Sequence, residues 1–132
     1  MNGTIRQEVR LFDLDEAERM LPLVRVIVKG MMDDNTERKD LLERLAATGS
    51  SSPDGRCVKE EIDQLTEKLT EAAAELEALD VEFKGIELGL IDFPSERDGE
   101  IICLCWQYGE ESIRFWHPHD AGFAGRQSIE TN

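Results

Sequence analysis

Apolar residues recur at helical spacing from Leu14 onward: Ala17, Met20, Leu21, Val24, Ile27, Val28 and Met31. Asp13 has the character of an N-cap, with Glu16 three residues on as its capping-box partner, and Phe12 precedes it as a hydrophobic staple. Pro22 interrupts this pattern, because it lacks a backbone donor and clashes with the preceding turn. A kink is expected there, or a short helix ending near Leu21 and a second starting at Pro22. The pattern resumes at Leu41, Leu42 and Leu45 and stops near Thr48, while Asp33 to Asp40 is polar on all sides and is expected to be solvated. Residues 48–56 (TGSSSPDGR) have loop composition. Then Val58, Ile62, Leu65, Leu69, Ala72, Leu76 and Leu79 alternate steps of four and three, a heptad seam. Glu60, Glu61, Asp63, Glu67, Glu71, Glu75 and Glu77 lie off the seam. Such a helix, about 33 Å long, cannot bury its seam alone. The preceding helix, folded back antiparallel, is the nearest partner.

After Asp80 the period changes. Ile86 to Ile91 reads as a strand ending at Phe93-Pro94, and Asp98-Gly99 is a two-residue hairpin signal. Ile101 to Gln107 follows as a strand, then a turn around Gly109, then Ser112 to His117, closed by Pro118. The expectation is a three-stranded antiparallel meander, with Val9 to Phe12 as a possible edge strand. In the middle strand Ile102, Leu104 and Trp106 face one way and Ile101, Cys103 and Cys105 the other. Both faces are apolar, so both need cover. The helical hairpin can supply one cover. The other falls to the tail, Gly122 to Ile129, or to a second subunit, and spacing does not choose between them.

The expected fold class is α+β: a long antiparallel helical hairpin plus a small three-stranded antiparallel meander. The length, 132 residues, suits a single domain, with the hairpin at 13–79, the meander at 86–118 and a C-terminal tail at 119–132. The formal charge, 15 − 29 = −14, repels nucleic-acid phosphates and anionic lipid, so neither is an expected partner. No apolar run approaches the roughly 20 residues that span a bilayer, and Met1 to Arg10 lacks a signal-peptide hydrophobic region. Three cysteines, an odd number, argue against a disulfide framework and for a reducing cytoplasm.

Candidate chemistry is concentrated in the last third, which holds both tryptophans, both histidines and two of the three cysteines. Cys103-x-Cys105 and His117-x-His119 would share one face if a three-residue turn at Gly109 to Glu111 sets Cys103 opposite His117. Two thiolates and two imidazoles suit tetrahedral Zn²⁺. The plainer alternative is that both cysteines are small buried apolar residues. A second reading is a pocket drawn from Asp92, Cys105, Trp106, Glu110, Trp116, His117 and Arg126. There a carboxylate would orient His117 for acid–base work, Arg126 would clamp an anion, and the two indoles would form walls. Its plainer alternative is an ion network at the sheet rim in which Arg126 pins the tail to Asp92 or Glu110. Gly122-x-x-Gly125-Arg126 lacks the full glycine fingerprint of a phosphate loop.

Several blocks together resemble a known family. They are Phe12-Asp13-Leu14-Asp15-Glu16-Ala17, Met20-Leu21-Pro22-Leu23, Gly89-Leu90-Ile91-Asp92-Phe93-Pro94, Leu104-Cys105-Trp106, Gly109-Glu110, Trp116-His117 and Gly122-Phe123-Ala124-Gly125-Arg126. In this order they resemble an uncharacterised bacterial family, catalogued as domain of unknown function twenty-two-oh-three. The resemblance spans nearly the whole chain. It implies a shared fold and a shared site, and no reaction. Members of that family often carry an aromatic residue where this chain has Cys103, which counts against a family-wide role for that thiol. The functional expectation is therefore a self-associating or protein-interaction module, a homodimer assembled through Ile62, Leu65, Leu69 and Leu76, needing no cofactor. The alternative is small-molecule binding or metal-dependent activity at the Cys/His/Arg pocket.

Overall fold

A computed structural model describes residues 10–129. Helix α1 runs from Leu14 to Thr48 and helix α2 from Pro53 to Ala78, packed as a hairpin. Asp13 caps α1: its Oδ1 accepts from the Glu16 amide at 2.8 Å, and the Glu16 carboxylate accepts from the Asp13 amide at 2.9 Å. Both donors would otherwise lack an intrahelical partner. Asp13→Ala is expected to cost about 1 kcal/mol in urea unfolding, and Asp13→Ser much less.

The helix does not break at Pro22, and no second helix begins there. Pro22 is itself exposed, and its missing donor costs the bond to the Glu18 carbonyl one turn back. Leu21 and Val24 on either side are buried in the main core. Packing on both flanks outweighs the local penalty of proline, about 3 kcal/mol. The expected loop at 48–56 is also too long. The connection is only Gly49 to Ser52, and Ser52 caps α2 by accepting from the Gly55 amide at 2.9 Å. Pro53 occupies the first turn, where its missing donor costs nothing. Gly55 is required there, because an added Cβ would overlap the Gly49 carbonyl.

The seam of α2 is used within the chain. Val58, Ile62 and Leu65 form a small distal cluster with Leu41, and Leu76 joins the main core. Asp33 to Asp40 is largely solvated, yet Arg38 Nε donates to Thr66 Oγ1 at 2.7 Å and Asp34 pairs with Lys68 at 3.5 Å.

The sheet has five strands, not three, in the antiparallel order β1 (Glu82–Gly85), β2 (Leu90–Arg97), β3 (Glu100–Gln107), β4 (Phe115–Pro118) and β5 (Gln127–Ser128). Ile86 to Gly89, expected to begin a strand, is instead the turn joining β1 to β2. Strand β2 also passes through Pro94 rather than ending there. The Pro94 carbonyl accepts from the Phe12 amide at 2.7 Å, so its backbone faces the outer edge and no bond to β3 is lost. Ser95 Oγ donates to the Phe12 carbonyl at 2.6 Å. The approach to α1 thus lies against β2 without becoming a strand at residues 10–12; Val9 lies outside the described residues. Asp98 and Gly99 form the expected two-residue turn, with φ of 54° and 82°.

Ile102, Leu104 and Trp106 face the helices, joining Ala17, Leu21, Val24 and Val28 in the main core. The opposite face is covered at Cys103 and Cys105, where the chain's own tail runs between β4 and β5 with a 3-10 turn at Phe123–Gly125, while Ile101 at the start of β3 stays 45% exposed. No helix among the described residues is long and apolar enough to cross a membrane.

Candidate functional site

The site is built on the tail-covered face of the sheet. Paired residues of antiparallel strands share a face. Asp92 is paired with Cys105, Cys105 with Phe115, and Cys103 with both Pro94 and His117. The expected pairing of Cys103 with His117 is therefore present. Asp92, Cys103, Cys105 and His117 are all at most 3% exposed.

Asp92 and His117 form a buried pair. Nε2 of His117 lies 3.1 Å from each Asp92 carboxylate oxygen, and Nδ1 lies 2.8 Å from the Pro118 carbonyl oxygen. That carbonyl also accepts from the Ala121 amide at 3.0 Å, which ties the start of the tail to the imidazole. Both ring nitrogens thus face protein acceptors, Nε2 the Asp92 carboxylate expected to orient the ring and Nδ1 the Pro118 carbonyl.

Cys103 completes a group of three with Asp92 and His117, whose potential ligand atoms all lie within 4.8 Å of one another. Neither Cys105 nor His119 belongs to it, so the four-ligand Cys103, Cys105, His117 and His119 arrangement is not formed. His119 follows Pro118 out of the strand and is exposed. Burial, reinforced by the Asp92 charge, pushes the Cys103 thiol up to about 12. Burial likewise raises Cys105 to about 11, against the opposing pull of Arg126. Both are protonated, inert thiols at neutral pH. A thiol-reactive dye is expected to label Cys57, which is exposed, in the folded metal-free chain, and Cys103 and Cys105 only after denaturation. Mass spectrometry of the labelled peptides checks this outcome.

Glu110 and Arg126 form a second pair beside Cys105. Nη2 of Arg126 donates to the two Glu110 carboxylate oxygens at 2.8 and 2.9 Å and to the Cys105 carbonyl at 3.4 Å. The guanidinium lies 4.1 Å from the Phe115 ring centroid and 4.7 Å from that of Phe123. Arg126 thereby clamps the end of the tail to the sheet, in the rim-network manner considered for it. Its Nε is buried with no hydrogen-bond partner.

The tryptophans do not wall this site. Trp106 belongs to the helix-facing row, with its Nε1 donating to the Glu110 carbonyl at 2.9 Å. Trp116 is paired with Leu104 on that same face, under the Arg97 guanidinium at 4.7 Å. Their place in the tail-side cavity is taken by Lys84, Leu90 and Phe123, which carried no expected pocket role. That cavity, about 260 Å³, is bounded by Asp92, Cys105 and His117, by Lys84 and Leu90 from the first hairpin, and by His119, Gly122 and Phe123 from the tail. A hollow of about 410 Å³ beside Phe12 is larger. Of its polar groups, Asp13, Glu16 and Ser95 are already engaged in the helix cap and at the Phe12 carbonyl. From α1, Glu18 accepts from the Ile113 amide at 2.8 Å and Arg25 donates to the Glu111 carbonyl at 3.1 Å, fixing the β3–β4 connection. Their spacing of seven, on one helix face, was the available signal.

The family profile described as "Uncharacterized conserved protein (DUF2203)" matches residues 10–129. The chain belongs to the DUF2203 family. No curated protein and no solved structure matches it. For this DUF2203 chain the site must therefore be read from its own geometry.

Proposed function

We propose that this DUF2203 protein is a small-ligand-binding module whose ligand sits beneath the tail. The observation that carries this reading is the cavity of about 260 Å³ bordered by the buried Asp92 carboxylate. Its size, just below the roughly 300 Å³ lower end of ordinary ligand pockets, suits a small metabolite. Leu90 and Phe123 favour an apolar body, and the remaining lone pairs of Asp92 favour an amine or amide donor. Thermal-shift assays of the full chain against small amines and amides, with chelator present, test the idea. A stabilising compound is expected to lose its effect in Phe123→Ala. Absence of any stabiliser, or equal shifts in wild type and variant, would remove the reading.

A second reading is self-association. Of the four seam residues, Ile62, Leu65 and Leu76 are buried inside the chain and Leu69 packs, partly buried, against the main core. The observation in its favour is an apolar patch on the outer side of α1, where Leu23 is 51% and Val26 is 69% exposed. Light scattering at high micromolar concentration tests it. A dimer should revert to monomer in Val26→Glu, and a monomeric wild type ends the reading.

A further inference from the structure

We propose that Asp92, Cys103 and His117 form a binding site for one zinc-class divalent ion, its fourth coordination position left to water or to an occupant of the adjoining cavity. This goes beyond the ligand-pocket reading and does not depend on it.

Three donor types converge from three adjacent strands, β2, β3 and β4, which hold them rigidly. Zinc bound at its usual distances sets neighbouring ligand atoms about 3.3–3.8 Å apart. The present atoms lie within 4.8 Å, and His117 Nε2 is 3.1 Å from Asp92, so only small side-chain adjustments are needed. The imidazole is also oriented as a metal ligand. Its Nδ1 donates to the Pro118 carbonyl, the outer-shell contact that fixes a ligating tautomer. With that proton in place, the Nε2 lone pair of a neutral ring would point at two carboxylate oxygens. A proton or an ion between them removes that lone-pair clash, and the position is one a metal ion can take.

Charge balance admits the ion. A carboxylate, a thiolate and a neutral imidazole around Zn²⁺ sum to zero, so the loaded group carries no net charge in a fully buried place.

Cobalt(II) titration of the chelator-stripped full chain tests the site. One equivalent is expected to give tetrahedral visible bands and a thiolate charge-transfer band, both erased by added zinc. Cys103→Ser should lose the charge-transfer band and bind at least about 100-fold more weakly. Cys105→Ser and His119→Ala should keep it. Should Cys103→Ser fail to fold, the Cys57→Ser/Cys105→Ser double variant, which leaves Cys103 alone, must still show the band. No thiolate band in the folded wild type would overturn the proposal. So would a band that vanishes in the Cys57→Ser/Cys105→Ser chain. Because the ligand screen is run in chelator, a negative cobalt result leaves that reading separately decided.

Discussion

Gly89→Ala is expected to destabilise the chain by about 2–5 kcal/mol, adding left-handed backbone strain of roughly 1–2 to overpacking of roughly 1–3 kcal/mol. Gly89 has φ +68°, and a Cβ there would lie 2.7 Å from Tyr108 Cβ and 2.8 Å from Met32 Sδ. One residue thus joins the first hairpin, the end of β3 and the middle of α1. Its carbonyl accepts from the Tyr108 amide at 3.0 Å, so the backbone cannot rotate away without losing that bond. Gly99 supplies the control. It has φ +82° but open space around it, so Gly99→Ala should show the backbone cost alone, about 1–2 kcal/mol. Urea unfolding of both variants reads the difference. Equal costs would mean that the contact at Gly89 is not the tight one described.

Asp92→Ala and His117→Ala, measured in chelator, are each expected to cost about 3–5 kcal/mol, because each leaves a buried charged or polar partner uncompensated. Asp92 and His117 are 3% and 2% exposed, so water cannot replace the missing group without opening the tail. The double variant should cost less than the sum of the singles, by on the order of 1–3 kcal/mol. Strict additivity would show that the pair is not coupled. Losses below about 1 kcal/mol in both singles would place the site in solvent, contrary to its burial.

The helical hairpin was legible because helical periodicity is a local property. The repeat from Val58 to Leu79 sets which side of α2 is apolar whatever lies opposite. The Asp98-Gly99 turn was legible for a similar reason, since both of its residues tolerate positive φ. Pro94 misled because its absent donor points to the outer edge of β2, and the break considered at Pro22 did not form because the packing of Leu21 and Val24 carries the helix through the lost bond; only the packed structure reveals either. Ile86 to Gly89 misled because its apolar content resembles a strand, while the turn is imposed by the tight packing around Gly89. At the site, Asp92, His117, Glu110 and Arg126 were all candidates, but which pairs with which was open. The pocket reading joined Trp106 to Cys105 although strand alternation already set the two on opposite faces of β3.

By itself, the sequence determined two amphipathic helices, the Asp98-Gly99 hairpin turn, an apolar sheet in need of cover on both faces and a strongly acidic composition, all of them consequences of residues close together along the chain. Tertiary structure alone decided that the tail supplies the second cover and that Asp92 meets Cys103 and His117. Those contacts join residues distant in sequence through strand register and chain crossing, and a one-residue slip in pairing would turn every side chain of a strand to the other face.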